Sequence, residues 1–353
     1  MSESSAFEGR RILIVAEFNR TSFGSNYYKS WFTLRNGFVR AGANVITVSD
    51  RDTAREAGLL RHKAFGRRHM NQMIIDTAKG YRPHLILFGH VDMTGPDTLE
   101  AVRRAVPEAR LAQLHVDPVF RERAMDRFNE RATQMHASFI TTGAPEKLAE
   151  LGSGPGTVAF CPNPVDPSLA HTDVSKLARK ELPHDGIFLG SGDQRREPQV
   201  RELQERLPAG FRFFAGGKIF GTPRLAGPEF LETMASGAMS PNLPLDERRP
   251  VDYLYSSSRL AQLIGLGVTA FCQANARLED VYEDGIVNYT TIEDLAGKMA
   301  SLAEDDDERC RIGATGRRIG RERTGNARVA RYLWDMTVDG RPSEDYGWPS
   351  VFH

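Results

Sequence analysis

The run Ser-Ser-Ser-Arg at positions 256–259 is the stretch of this sequence best suited to binding an anion. It opens a predicted helix over 258–266 that ends at Gly267, so one of the serines is expected to be the N-cap. The first amides of a helix have no partner within it, and with the helix dipole they favour a phosphate. Arg259 would add a cation in the first turn. An ordinary capped helix beside a strand explains the same residues, and both interpretations stay open.

Two glycine-rich loops follow predicted strands and carry further cations. Residues 190–196 read Gly-Ser-Gly-Asp-Gln-Arg-Arg and follow a strand over 186–190, and residues 215–218 read Ala-Gly-Gly-Lys and follow a strand over 211–215. Such loops bring backbone donors and side-chain cations to the carboxyl end of a parallel sheet, where α/β proteins bind ligands. A turn without a ligand is the alternative for each loop.

Polar residues also follow two predicted strands in the first half of the chain. His90 and Asp92 follow a strand over 84–88, and Asp117 follows a strand over 110–114. A carboxylate at a strand end can accept the proton of an attacking hydroxyl, and we identify Asp92 and Asp117 as the leading candidates for such a base. A turn-forming aspartate is the alternative for both. His90 is expected to bind substrate or to support the structure.

Alternation of apolar strands with helices predicts an α/β fold with two Rossmann-like domains facing across a cleft. The strands are predicted at 11–16, 44–48, 84–88, 110–114, 138–141 and 157–160, and then at 186–190, 211–215, 268–272 and 286–289. Three prolines within 161–167 separate the two halves. We expect a first domain over 1–168, a second over 169–325, and a tail over 326–353 whose aromatic residues return to the first domain.

Composition and missing motifs exclude several classes of protein. The 353 residues include 46 Lys and Arg against 46 Asp and Glu, so anion binding has to be local and nucleic acid is not indicated. The 3 cysteines lie far apart, which predicts neither a disulfide framework nor a metal site. Dinucleotide, Walker A, zincin and serine-hydrolase motifs are absent. With no secretory signal or membrane-spanning run, we expect a cytoplasmic protein, at most peripheral at the inner face of the membrane.

Short motifs in both halves together resemble those of one enzyme family. In the second half they are Asn242, the run 255–267 (Tyr-Ser-Ser-Ser-Arg-Leu-Ala-Gln-Leu-Ile-Gly-Leu-Gly), the run 278–285 (Leu-Glu-Asp-Val-Tyr-Glu-Asp-Gly), and the pairs 294–295, 308–309 and 316–317. In the first half they are the runs 89–92, 115–118 and 162–166. With these motifs the chain resembles the spore-maturation-type group of GT-B glycosyltransferases, related to the group 1 glycosyltransferases.

The resemblance implies transfer of a sugar from a nucleotide-sugar to an acceptor hydroxyl, in assembly of cell-envelope or surface polysaccharide. The second domain is then expected to bind the nucleotide-sugar, which is a co-substrate, and the first domain to bind the glycan or lipid-linked acceptor. No metal or other cofactor is expected. The donor-binding residues implied are Gly190, Ser191, Gly192, Arg195, Arg196, Lys218, Asn242, Ser256, Ser257, Ser258, Arg259, Gln262 and Glu279.

Particular roles follow for some of these residues. Arg259, with the hydroxyls beside it, would meet the diphosphate, which gains negative charge as it departs. We expect its side chain to line an open cleft, so that Arg259→Ala would leave the fold intact. Gln262 stands where relatives use a glutamate to hold the ribose, and an amide still bonds a hydroxyl. Glu279 would accept hydrogen bonds from ribose or sugar hydroxyls; alternatively, it is only a carboxylate that the helix dipole favours at a helix N-terminus. Leu254 replaces the first of the usual pair of glutamates, so retention or inversion is not assigned.

Other functions and partners stay open alternatives. A nucleotide-sugar epimerase of the same fold would use the donor contacts without an acceptor, and a two-domain sugar-binding protein would lack catalysis. The basic run from Arg61 to His69, which contains Phe65, would contact an anionic membrane or a lipid-linked acceptor, or would be a solvated loop.

Overall fold

The computed structural model describes residues 7–58, 62–91, 93–151, 154–190, 194–246 and 248–349, with only the backbone of Arg123 and Gln194. The chain forms two compact units. Unit 1 consists of Met1–Pro162 with Asn326–His353, and unit 2 consists of Asn163–Gly325. Each unit contains one parallel sheet, which confirms the predicted α/β fold with two Rossmann-like domains.

Unit 1 is built on a six-stranded sheet. Its strands are β1 (Arg11–Ala16), β2 (Asn44–Ser49), β3 (Leu85–Phe88), β4 (Arg110–His115), β5 (Ala137–Ile140) and β6 (Thr157–Phe160). They pair in parallel in the order β2-β1-β3-β4-β5-β6. The helices between them are α1 (Ser30–Arg40), α2 (Asp50–Ala57), α3 (Arg67–Tyr81), α4 (Pro96–Ala105), α5 (Glu122–Ala132) and α6 (Pro145–Leu151). Residues 12–16 of β1 are fully buried, as in a sheet covered on both faces.

Unit 2 is built on a five-stranded sheet. Its strands are β7 (His184–Leu189), β8 (Phe213–Gly216), β9 (Gly237–Pro241), β10 (Thr269–Gln273) and β11 (Val287–Tyr289), in the parallel order β11-β10-β9-β7-β8. The helices are α7 (Glu197–Arg206), α8 (Gly227–Ala235), α9 (Ser258–Leu266), α10 (Glu279–Tyr282), α11 (Ile292–Glu304) and α12 (Asp306–Arg323). The central strand β9 was not among the predicted strands. Its sequence Gly-Ala-Met-Ser-Pro lacks β-branched residues, and its position between two neighbouring strands overrides that weak local preference.

The C-terminal residues complete the core of unit 1. Helix α13 (Asn326–Trp334) packs on α1, where the Asn326 side-chain amide donates to the carbonyl of Thr33 at 3.1 Å. The ring of Trp334 meets that of Phe7 edge to face with centroids 5.3 Å apart. A π-helical turn over Asp335–Asp339 follows α13. Within the part of the chain that the structure describes, no helix is both long and apolar enough to span a bilayer.

A glycine on α1 allows this close contact. A Cβ atom at Gly37 would lie 2.2 Å from the carbonyl oxygen of Asn326. We expect Gly37→Ala to destabilise unit 1 by about 1–3 kcal/mol, because α1 and α13 would have to separate. Urea unfolding followed by tryptophan fluorescence measures this, since all 3 tryptophans of the chain belong to unit 1.

Gly80 on α3 provides the matched control, because nothing lies within 4 Å of a Cβ atom placed there. Gly80→Ala is expected to leave stability unchanged or to raise it by up to about 1 kcal/mol through helix propensity. Equal unfolding midpoints for the two variants would show that α1 and α13 do not depend on this close approach.

Candidate functional site

The N-terminus of α9 presents unpaired backbone donors at the carboxyl end of the unit 2 sheet. Ser257 is the N-cap, yet its hydroxyl does not cap the helix and donates instead to Oδ1 of Asn242, which follows β9, at 3.1 Å. The amides of Ser258 and Arg259 therefore have no acceptor among the described residues. The helix ends at Gly267, whose φ of 73° is left-handed. The predicted serine N-cap and glycine stop of this helix are confirmed.

Arg259 is buried, with only 9% of its surface exposed. Its guanidinium stacks 4.6 Å from the centroid of Phe188, donates through Nη1 to the carbonyl of Leu189 at 3.1 Å, and through Nη2 to Oδ1 of Asn242 at 3.3 Å. Its Nε atom is buried and has no acceptor among the described residues. The expectation that this side chain lines an open cleft is wrong, because strand β7 and the residue after β9 enclose it.

The charge of Arg259 has no carboxylate partner within the described residues. Burial, followed by the field of nearby Arg196, lowers the pKa of Arg259. A guanidinium still keeps its proton at neutral pH. A buried cation without a counter-charge is costly, so an anion bound beside Arg259 would be stabilised.

A small recess opens beside these residues. Its polar lining comes from Arg196, Asn242, Tyr255, Ser257 and Gln273, and its apolar lining includes Leu243, Pro244, Leu245, Val251, Ala276 and Leu278. Its volume is about 20 Å³, enough for about one water molecule. A larger ligand would therefore lie across its mouth.

Two of the polar lining residues escaped sequence reasoning. Gln273 is the last residue of β10, and Tyr255 immediately precedes the serine run. Gln273 could have been found from its position, since a polar residue at the carboxyl end of a central strand faces the edge where ligands bind. Tyr255 opens the run 255–267 that carries the family resemblance, but the run assigns it no role, because its place depends on how the preceding loop returns to the sheet.

The predicted cationic loops end at the same edge of the sheet. Gly190 follows β7 and packs against Ile219, and a Cβ at Gly217 would lie 2.5 Å from the Gly190 carbonyl, so the loops after β7 and β8 meet. Lys218 is exposed, with a left-handed φ of 83°. Arg195 is exposed in the turn before α7. Ser191 and Gly192 lie outside the described residues.

The remaining predicted donor residues differ in exposure. Ser258 is exposed, whereas Ser256 is buried and its carbonyl accepts a hydrogen bond from Asn163 at 2.9 Å. Gln262 is half-buried on α9. Glu279 begins α10, and its Oε2 atom is buried without a donor among the described residues. Of the predicted donor residues, hydrogen bonds join Asn242, Ser257 and Arg259 directly.

Unit 1 brings two of its predicted catalytic residues together. His90 follows β3 and Asp117 follows β4, and Nδ1 of His90 lies 3.7 Å from Oδ2 of Asp117. The amide of Val116 donates to His90 Nε2 at 3.1 Å, so the proton of a neutral His90 is on Nδ1, facing Asp117. Arg121 donates to the same carboxylate oxygen at 2.8 Å. Asp92 lies outside the described residues.

These two residues line a pocket of about 480 Å³. The other lining residues are Arg51, Phe120, Arg121, Glu122, Ala124 and Arg127. The imidazole of His115, the last residue of β4, stacks on that of His90 with centroids 4.8 Å apart. Burial, then the neighbouring His90, lowers the pKa of His115 to about 3. His115 is therefore neutral at physiological pH, and its ring packs against one face of the His90 ring.

The shifted pKa of His115 predicts a pH dependence of stability. Because the folded pKa of about 3 lies below the ordinary value of 6.5, the folded state disfavours the proton. The contribution of His115 is fully present above pH 6.5 and is lost as the pH falls towards 3. As the pH falls over this window, the free energy of unfolding should therefore decrease in the parent protein by up to about 1.4 kcal/mol per pH unit more than in His115→Phe. Urea unfolding by tryptophan fluorescence at neutral pH and near pH ~4.5 measures the difference; parallel losses would contradict it.

Part of the chain matches a known family of proteins. Residues 195–334 match the family model described as glycosyl transferase-like. The match includes Arg195, Arg196, helix α9 and Glu279. Comparison with curated protein sequences gives no match.

Solved structures resemble the chain over nearly its full length. Sucrose-phosphate synthase from Thermosynechococcus elongatus has a TM-score of 0.63 at 9% identity, with 93% of this chain and 98% of that chain covered. HepE from Anabaena, in complex with UDP and glucose, has a TM-score of 0.60 at 12% identity, with 93% and 99% covered. AviGT4, a glycosyltransferase involved in avilamycin A biosynthesis, has a TM-score of 0.56 at 13% identity, with 94% and 99% covered. At these identities the likeness shows the fold, the GT-B architecture.

Proposed function

We propose that the protein is a glycosyltransferase that moves a sugar from a nucleoside diphosphate sugar to an acceptor hydroxyl. The observation that carries this proposal is the buried guanidinium of Arg259, which lacks a carboxylate partner among the described residues and adjoins the unpaired amides that begin α9. The glycosyl transferase-like match over this region supports it, as does the likeness to HepE, which was crystallised with UDP and glucose.

The donor side supplies positive charge where the leaving group needs it. When the bond between the anomeric carbon and the diphosphate oxygen breaks, negative charge grows on the departing nucleoside diphosphate. Fixed donors at Ser258 and Arg259 stabilise that charge without having to reorganise, and we propose that they do so in place of a metal ion. Gln262 and the unpaired oxygen of Glu279 are proposed to accept hydrogen bonds from ribose or sugar hydroxyls.

For a transfer that inverts the anomeric configuration, the acceptor side is proposed to supply the base. The acceptor hydroxyl gives its proton to the carboxylate of Asp117 as its oxygen bonds to the anomeric carbon. The guanidinium of Arg121 holds that carboxylate in place by a hydrogen bond, and the Nδ1–H of His90 faces it from 3.7 Å. His90 is less suited to be the base, because Val116 already donates to its Nε2 atom. The proposed context, cell-envelope or surface polysaccharide assembly, rests on the sequence resemblance alone.

Thermal denaturation with a panel of nucleoside diphosphates tests donor binding. A nucleotide that binds the native state raises stability by about 2.7 kcal/mol when present at about 100 times its dissociation constant. We expect at least one nucleoside diphosphate to raise the melting temperature and the matching nucleoside to raise it much less, because Arg259 binds the phosphates. A panel in which no nucleotide shifts the melting temperature would contradict the proposal.

Product analysis separates transfer from epimerisation, which a GT-B fold could also support. The protein is incubated with the nucleotide-sugar that binds, with and without candidate acceptors. Transfer yields free nucleoside diphosphate and a longer acceptor. An altered nucleotide-sugar formed without any acceptor would identify an epimerase instead.

A further inference from the structure

Two phenylalanines project from unit 1 into solvent. The side chain of Phe23 is 97% exposed and that of Phe65 is 69% exposed, the highest values among large apolar side chains of the described residues. Each ring stands on a loop, and Phe65 stays exposed although the imidazole of His62 lies 5.6 Å away between ring centroids. Single exposed apolar side chains are common on protein surfaces, so these two rings indicate a binding surface only together with the charges beside them.

Both loops are attached to α2. Arg20, three residues before Phe23, donates to Oε2 of Glu56 at 2.5 Å, and its backbone amide donates to Oδ2 of Asp52 at 2.7 Å. On the other side, a Cβ atom at Gly66 would lie 1.9 Å from the carbonyl oxygen of Ala54, so the loop that carries Phe65 rests directly on α2. Both loops are therefore held by α2, the loop of Phe23 through Asp52 and Glu56 and the loop of Phe65 through Ala54.

The surroundings of the two rings are cationic. The sequence has no Asp or Glu over 18–49 or over 57–75. Around Phe65, Arg68 is exposed and Lys63 is half-buried, and Arg67 is exposed while its Nε donates to the carbonyl of Met93 at 2.9 Å.

The acidic groups of α2 do not offset this charge at the surface. Asp50 and Asp52 are fully buried, and Glu56 is paired with Arg20. Glu17, next to the loop of Phe23, is paired with Arg51 at 2.6 Å. The net exposed charge around Phe65 is therefore positive, and among the described residues of α2 no unpaired exposed carboxylate offsets it.

We propose that Phe23, Phe65, Lys63, Arg67 and Arg68 form a surface that attaches the protein to an anionic lipid bilayer. Separate rings on protruding loops can enter the interfacial layer of a bilayer, and the cations beside them are attracted to anionic headgroups. A protein partner would more often meet a continuous apolar patch with a hydrophobic centre. The proposal concerns attachment and is independent of the transfer reaction. Arg61, part of the basic run singled out in the sequence, lies outside the described residues and has no part in it.

Sedimentation of the full-length protein with vesicles tests this surface. Vesicles of phosphatidylglycerol mixed with phosphatidylcholine should carry the protein down at low salt, and pure phosphatidylcholine vesicles should bind it much less. Binding should weaken as salt is added, because the headgroup attraction is screened. The double variant Phe23→Ser/Phe65→Ser should lower the partition coefficient by roughly tenfold or more. The double variant Lys63→Gln/Arg68→Gln should lower it by a similar factor.

Matched controls come from the opposite ends of neighbouring helices. Val39→Ser removes an exposed apolar side chain near the end of α1, and Lys79→Gln removes an exposed cation near the end of α3. Both should bind vesicles like the parent. A separate variant, Phe23→Trp, should show a blue shift in the added tryptophan emission when anionic vesicles are present.

Three results would overturn the proposal. In the first, the parent protein stays in solution with anionic vesicles at low salt. In the second, Phe23→Ser/Phe65→Ser binds vesicles as well as the parent does, and in the third the emission of Phe23→Trp does not change. If the parent instead self-associates in solution, and Phe23→Ser/Phe65→Ser abolishes that association without any vesicle binding, the surface is a protein contact.

Discussion

Replacement of Arg259 by methionine is expected to lower nucleoside diphosphate affinity by roughly 10²-fold or more, because charge-assisted hydrogen bonds to the diphosphate are lost. Stability should change little. The substitution removes the hydrogen bonds to Leu189 and Asn242, which lowers stability, and it also removes a buried cation without a counter-charge, which raises stability. Isothermal titration calorimetry with the nucleotide that gives the largest thermal shift measures the affinity. Transfer should fall in parallel.

Arg259→Ala is a poorer test of nucleotide binding, although the sequence predicts that it leaves the fold intact. The shorter side chain would leave a cavity beside Phe188 and destabilise unit 2 by about 2–5 kcal/mol, so lost binding could reflect lost folding. Arg309 is the matched control, since it is fully buried on α12 and paired with Asp306 at 2.5 Å. Arg309→Met leaves behind Asp306, which is 33% exposed, so it should cost less than breaking a fully buried pair, and the folded variant should keep its nucleotide affinity. Unaltered nucleotide affinity in Arg259→Met would remove the main support for the donor site.

Asp117→Asn is expected to lower the rate of transfer by about 10²–10⁴-fold while the dissociation constant of the nucleotide stays the same. The amide keeps the shape of the carboxylate and cannot accept the hydroxyl proton. Single-turnover transfer and calorimetry measure the two quantities separately. Glu122→Gln is the matched control, because it neutralises another acidic side chain of the same pocket without touching His90.

Two outcomes would contradict this role for Asp117. A variant Asp117→Asn with the parent's rate would show that the base lies elsewhere or that the reaction needs none. Equal losses in Asp117→Asn and Glu122→Gln would show that the pocket needs negative charge in general rather than a base at one position.

The sequence predicts most of the fold because apolar strands and glycine stops are local signals. It places His90 and Asp117 correctly side by side, since residues that follow neighbouring parallel strands meet at one edge of a sheet. It fails for β9, whose residues lack strand preference. It also fails for the burial of Arg259, because the carbonyl of Leu189 that accepts its hydrogen bond is 70 residues away along the chain. No local pattern records a contact over that separation.

Unit 1 is built from two separate segments of the chain, and this affects the order in which the two units can fold during translation. Unit 2 is one continuous segment, whereas unit 1 needs Asn326–His353 before α13 can cover α1. During translation, unit 2 is therefore the first to have all its residues outside the ribosome. The apolar face of α1 and the ring of Phe7 stay uncovered until α13 has also been synthesised. We thus expect the nascent chain to depend on chaperones most strongly in the interval after unit 2 has emerged and before α13 has, when one unit can be folded and the other is still open.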